Sequence, residues 1–251
     1  MARVLVWDLP TRLFHWAFAG GFIAAAVIAL GLGEDSPLFP YHSIIGLTIA
    51  LLIALRLCWG LIGSRYARFG SFLFSPGEVL NYTKGVLSRR GAKHTGHNPG
   101  SSYAIFAMLA IMVGLAITGI LMARGNDGVE ELHEILAYSM LAVVGAHILG
   151  VIVHTVQHRE NITASMIHGR KDTEESGAGI RSAHPILAVA MVAVTGAWVL
   201  GLVSNYDANT QTTKLPLLGV SLTLGEGEEG ESDHGPAFQP GSQEDHDEDE
   251  D

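Results

Sequence analysis

The sequence predicts an all-α integral membrane protein: a four-helix transmembrane bundle, a fifth transmembrane helix and a disordered acidic C-terminal tail. Three observations predict it. Five apolar stretches each run to about 20 residues, the length that carries a helix across roughly 30 Å of hydrocarbon. Of 251 residues, 48% are hydrophobic and 16% charged, the balance of a polytopic chain with polar connections. Twelve of the 25 acidic residues crowd into 226–251, which holds no Lys or Arg. No period-two alternation competes with the apolar runs, and helices satisfy their own backbone groups in lipid.

The runs are 13–32, 43–62, 103–122, 135–156 and 185–203. The first is long enough to span and is read as a retained helix rather than a cleaved signal. Loop charge orients the set. Arg3 and Arg12 precede the first run; Arg65, Arg68, Lys84, Arg89, Arg90 and Lys93 follow the second; Arg159, Arg170, Lys171 and Arg181 follow the fourth. The other two connections are poor in bases, with Glu34 and Asp35 in one and Arg124, Asp127, Glu130 and Glu131 in the other. The positive-inside rule then puts the N-terminus in the cytoplasm and the tail outside. In the long second connection, Ser75-Pro76-Gly77-Glu78 reads as a capping box opening a short helix, either along the inner membrane surface or as a solvated connector. After residue 203 a weakly apolar stretch to 224 suggests a small docked segment. From about 225 the Gly/Glu/Asp composition cannot build a core. Outside the tail, 13 acids face 15 bases, so nothing suggests a nucleic-acid partner. The tail is suited to steering a basic soluble partner.

One cysteine, Cys58, excludes a disulfide framework, a paired-cysteine zinc site and covalent c-type haem attachment. The chemistry must rest on histidine. His133 and His147 both lie in or at the start of the fourth run, two heptads apart. On a helix that spacing turns the side chain about 1400°, close to four full turns, with a rise of about 21 Å. Both imidazoles therefore leave one face at two depths, and ionisable groups at such depths are costly and usually functional. His42 opens the second run near the outer face; His15 lies in the first run near the inner face. Helix direction pairs His42 with His133 and His15 with His147. Each pair comes from two helices, as a haem iron between two imidazoles requires. Such ligation leaves no open iron position and favours electron transfer over oxygen chemistry. Arg56 follows His42 at the same two-heptad spacing and lies near the depth of His147. It suits a haem propionate or, alternatively, snorkels to the inner interface. His154 is the rival inner ligand, set deeper than His15 should reach. His94, His97, His158, His168 and His184 are read as solvent-exposed by default, and Met108, Met112, Met122 and Met140 as packing.

Several stretches resemble the bacterial cytochrome b561 / nickel–iron-hydrogenase b-type cytochrome family. They are Val6-Trp7-Asp8-Leu9-Pro10-Thr11-Arg12-Leu13-Phe14-His15-Trp16, Arg56-Leu57-Cys58-Trp59-Gly60, Gly63-Ser64-Arg65-Tyr66-Ala67-Arg68-Phe69 and His97-Asn98-Pro99-Gly100. His133-Glu134, Ala146-His147-Ile148-Leu149-Gly150, His158-Arg159-Glu160-Asn161 and Gly169-Arg170-Lys171 complete the likeness over 6–171. The resemblance implies two non-covalent b-type haems ligated by His15, His42, His133 and His147. It also implies electron transfer between the quinone pool and a partner, a c-type cytochrome or hydrogenase-like redox enzyme, in the bacterial inner membrane. The expected organisation is a four-helix dihaem unit at 1–175, a fifth helix at 176–204 and an extracytoplasmic tail at 205–251. A subunit that itself turns over quinone is one rival; a haem-free membrane anchor or proton-coupled transporter subunit is another. The oligomeric state stays open, a homodimer included.

Overall fold

The computed structural model describes residues 2–88, 94–175 and 177–225. Arg89, Arg90, Lys93, the acidic tail from 226, and His234 and His246 within it lie outside the described residues.

Five helices are long and apolar enough to cross a membrane. They are α1 (Leu9–Ala26, continued by a π-helical stretch Val27–Leu32), α2 (Phe39–Ile62), α4 (Pro99–Met122), α5 (Glu130–His158) and α7 (Pro185–Ser204). Two short helices, α3 (Pro76–Leu87) and α6 (Ile162–His168), lie in the connections. The first four spans begin about one turn earlier than their apolar runs, because their opening turns are built from caps, prolines and acids rather than apolar residues. Asp8 caps α1 by accepting from Thr11 N at 2.8 Å, and Asn98 caps α4 by accepting from Ser101 N at 2.8 Å. Each is followed by proline within the first turn, where the missing N–H costs nothing. Glu130 and Glu131 fill the first turn of α5, where negative charge complements the helix dipole. The expected capping box is present in α3: Ser75 and Glu78 bond reciprocally.

The helices pack as two hairpins. α1 lies along α2 and α4 along α5, with α2 joining the pairs through α4. α5 shares no comparably close backbone seam with α1 or α2. The fifth span, α7, packs on α1 and α2. Near mid-depth, Ile49, Ile53, Met112, Leu115 and Met140 form a buried cluster. Apolar side chains such as Ile23, Leu61, Leu149, Ile152, Val189 and Leu200 stay exposed on the outside, as lipid-facing residues should.

Both ends of the bundle carry caps with β structure that the sequence reading lacks. At one end, β1 (Ala2–Leu5) pairs antiparallel with β2 (Arg170–Thr173). Val6 N and Trp7 N then donate to Gly169 O. Gly169 has φ +79°, and a Cβ there would sit 2.8 Å from Trp7 O, so both conformation and space demand glycine. Tryptophans fasten this cap: Trp7 Nε1 donates to Ser165 Oγ and Trp16 Nε1 to Met166 O. Trp59 Nε1 donates to the buried Asp8 carboxylate, which also accepts from Ser64 Oγ. His97, expected to be solvent-exposed, is instead packed between Trp7 and Phe72, with ring centroids 4.7 and 4.3 Å away. Burial, with Arg56 and Lys171 nearby, pushes its pKa down from 6.5 to about 3. At the other end, β3 (Thr212–Lys214) and β4 (Ser221–Thr223) form a hairpin within the stretch expected to dock. Leu222 and Leu224 pack with Ile44, Leu47 and Leu202, and Ser43 Oγ donates to Leu224 O.

Two outcomes follow from the cap that holds β1 and β2. Asp8→Ala removes a helix cap and strands the Trp59 and Ser64 donors. It should lower stability by about 1–2 kcal/mol, read as a reduced Tm in detergent. For His97, the unfolded chain takes up a proton as pH falls below about 6.5 and the folded chain does not, so folded stability drops over that range. Tm should therefore decline from pH 7 to pH 5, and by less in His97→Phe.

Candidate functional site

α5 organises the site because it presents His133, Met140, His147 and His154 at heptad intervals on one face. Met140 is fully buried between the two upper histidines. The helix is 29 residues long, roughly 43 Å, so His133 lies in its first turn and His147 about 21 Å further along.

The structure brings His42 and His133 together. Their ring centroids are 6.5 Å apart and the rings are inclined at 72°. His42 Nδ1 lies 3.0 Å from Ala25 O. A carbonyl only accepts, so Nδ1 carries the proton and Nε2 keeps its lone pair. His133 Nδ1 lies 2.7 Å from Thr118 Oγ1, which is itself 2.9 Å from Gly114 O. With the single hydroxyl hydrogen given to that carbonyl, Thr118 accepts from His133 Nδ1–H and leaves Nε2 unprotonated there too. Two imidazoles with lone pairs on Nε2 cannot hydrogen-bond each other through those atoms. They suit a metal ion between them: metal–nitrogen bonds of about 2 Å on each side place ring centroids roughly 6 Å apart. One turn inward from His42, Gly46 is half-buried with nothing within 4 Å of where a Cβ would stand, leaving room for a flat macrocycle. Among the described residues no group of three or more His, Cys, Asp or Glu could hold an ion. Paired ligands therefore fit a metal that arrives with most of its coordination filled, as in haem.

Further along the bundle, His15 and His147 are both half-buried and within electrostatic range of each other. His15 Nδ1 is inaccessible and has no hydrogen-bond partner among the described residues, and Trp16 meets the His15 ring edge-on at 4.9 Å. His154 is buried farther along α5, with its ring centroid 4.4 Å from that of His158. His184 meets Trp59 at 5.3 Å, and His168 Nδ1 accepts from Arg170 N.

Arg56 does not reach out to the interface. It is 5% exposed, with its guanidinium carbon 5.9 Å from the Phe14 ring centroid and 5.0 Å from that of Phe69. Gly60, one turn on, makes this enclosure possible, because a Cβ there would run into the Phe69 ring. Arg56 Nη1 is buried without a hydrogen-bond partner among the described residues. A buried cation with an unused donor is matched to an anion, and the propionate carboxylates of haem supply one.

The sequence reading missed Thr118, the Ala25 carbonyl and the Phe14–Phe69 enclosure. A lone threonine in an apolar helix carries no signal until the register of α4 against α5 is known. A main-chain carbonyl carries none at all.

The model of the prokaryotic cytochrome b561 family matches residues 6–169. The chain is similar to a "Probable Ni/Fe-hydrogenase B-type cytochrome subunit" of Rhizobium leguminosarum bv. viciae, 26% identical over 68% of this chain and 91% of that protein. A protein of the same name in Bradyrhizobium diazoefficiens is 21% identical, covering 67% and 85%. The "Probable Ni/Fe-hydrogenase 1 B-type cytochrome subunit" of Escherichia coli is 25% identical over 45% of this chain and 57% of its own length. No solved structure matches. The match over 6–169, which takes in all four histidines of the two pairs, establishes that the chain belongs to the prokaryotic cytochrome b561 family of membrane b-type cytochromes.

Proposed function

We propose that this membrane cytochrome relays electrons between the quinone pool and a redox partner through two bis-histidine haems. His42 and His133 would hold the outer haem, His15 and His147 the inner. The observation that carries this reading is the outer histidine pair, 6.5 Å apart with both Nδ1 atoms engaged. When bound, haem b supplies a one-electron couple at each position. The chain's own residues do the rest. The histidine pairs would each hold a haem through two imidazole nitrogens and leave no site for oxygen. Arg56 would hold a propionate and favour the reduced form by its charge. Met140, with Ile49, Ile53, Met112 and Leu115, fills the interval between the pairs and excludes water from it.

The orientation with an inner N-terminus and an outer C-terminal tail is part of the proposal, supported by loop charge. The relatives' names favour a Ni/Fe hydrogenase as partner. A basic c-type cytochrome is the alternative that the acidic tail would suit. The proposed setting is the bacterial inner membrane, with the four-helix unit and the fifth helix as successive parts of one membrane body.

The test is a reduced-minus-oxidised visible spectrum with haem quantified per chain. Two b-type haems are expected; none would sink the proposal and leave the haem-free anchor or transporter reading. His42→Ala or His133→Ala should remove one haem and spare the other, and His15→Ala or His147→Ala the reverse. Two normal haems in His147→Ala together with loss of one in His154→Ala would make His154 the inner ligand. Arg56→Gln should lower the midpoint potential of one haem, by on the order of 1–2 kcal/mol of redox free energy, leaving the second unchanged.

A further inference from the structure

The two ends of the site differ in how their histidines are secured. His42 is held by a main-chain carbonyl, His133 by a side-chain hydroxyl, and His15 Nδ1 by nothing among the described residues. Only the second of these supports is a removable side-chain group. Thr118 lies on α4 against the first turn of α5, 3% exposed, and its Oγ1 makes three contacts: Gly114 O at 2.9 Å, Leu115 O at 3.2 Å and His133 Nδ1 at 2.7 Å. Two of those partners are carbonyls that can only accept. Spent on either carbonyl of its own helix, the hydroxyl hydrogen leaves an oxygen lone pair for the imidazole. Gly119 completes the seat: a Cβ there would stand 3.5 Å from His133 Cε1, so a larger side chain would crowd the ring.

We infer that Thr118 is the positioning residue of the outer haem: its hydroxyl accepts His133 Nδ1–H and sets that ring's tautomer, rotation and donor strength. The inference rests on His133 being an axial ligand, as proposed above. An imidazole whose Nδ1–H is donated to an oxygen acquires imidazolate character and gives more electron density through Nε2. That stabilises the ferric over the ferrous form and holds the outer potential down. Thr118 touches neither iron nor macrocycle in this account; it acts through His133.

Redox titration of the full chain, followed in the visible spectrum and by low-spin ferric electron paramagnetic resonance, tests it. Thr118→Val keeps the shape and removes the hydroxyl. It should raise the midpoint potential of one of two haems and shift that haem's resonance, with the other haem unchanged. Thr118→Ser should restore both readouts, and Thr118→Ala should behave as Val does. Wild-type potentials and spectra in Thr118→Val overturn the inference, as does equal behaviour of the Ser and Ala variants. If Val loses the haem outright, the Ser and Ala pair decides, since both lack the methyl group and only one has the hydroxyl. A wild-type chain without haem, or one in which His133→Ala keeps both haems, overturns the ligand reading itself and is told apart from a two-haem chain indifferent to Thr118.

Discussion

Carbonyl oxygens accept hydrogen bonds and never donate them, and that restriction at Ala25 and Gly114 organises the His42–His133 end of the bundle. One carbonyl acts on His42 directly; the other acts on His133 through Thr118. The first obliges His42 to keep its proton on Nδ1, away from the facing ring; the second does the same for His133 under the bond direction inferred for Thr118. In water such preferences would be weak, because solvent could serve either nitrogen. Inside a low-dielectric bundle an unpaired polar atom is expensive, so the tautomer is held firmly. The close seam of α5 on α4 brings Thr118 to the ring, and the distance of α5 from α1 and α2 keeps the paired rings from collapsing together.

The end that encloses Arg56 is built on a different balance. A guanidinium 5% exposed among aromatic rings has lost most of its hydration, and cation–π contacts with Phe14 and Phe69 recover only part of it. The buried Asp8 carboxylate is engaged by Thr11, Trp59 and Ser64 rather than by an ion pair with Arg56. A helix cap, two strands and three indoles tie the surrounding loops together around that charge.

Much of this is legible in sequence because length and period are strong signals in a membrane. An apolar run of about 20 residues announces a span. Two histidines close to four helical turns apart, His133 and His147, must share a face whatever surrounds them. The capping box at Ser75 can be read because its other half, Glu78, lies within one turn of chain. The helix starts are harder, since Asp8, Asn98 and the prolines after them are not apolar. His97 escapes for a further reason: its neighbours Trp7 and Phe72 come from segments far off in the chain, and a loop histidine carries no mark of where the loop folds. Thr118 is invisible on the same ground, since its bond to Gly114 O is what any intrahelical threonine makes. Pairwise chemistry across helices becomes readable only when their relative rotation is fixed.

The pairing of β1 with β2 has a consequence for how the protein is made. Ala2 lies opposite Thr173, so a strand that leaves the ribosome before α1 waits for a partner made after α5 and α6. At about 5–20 residues per second, that delay is roughly ten to thirty seconds. During it the first strand stands unpaired at the membrane surface, open to proteases, while four spans are inserted. Its closure works as a latch that shuts only when the last of those four helices has arrived, so a chain cut short before Arg170 would keep β1 unpaired for as long as it survived.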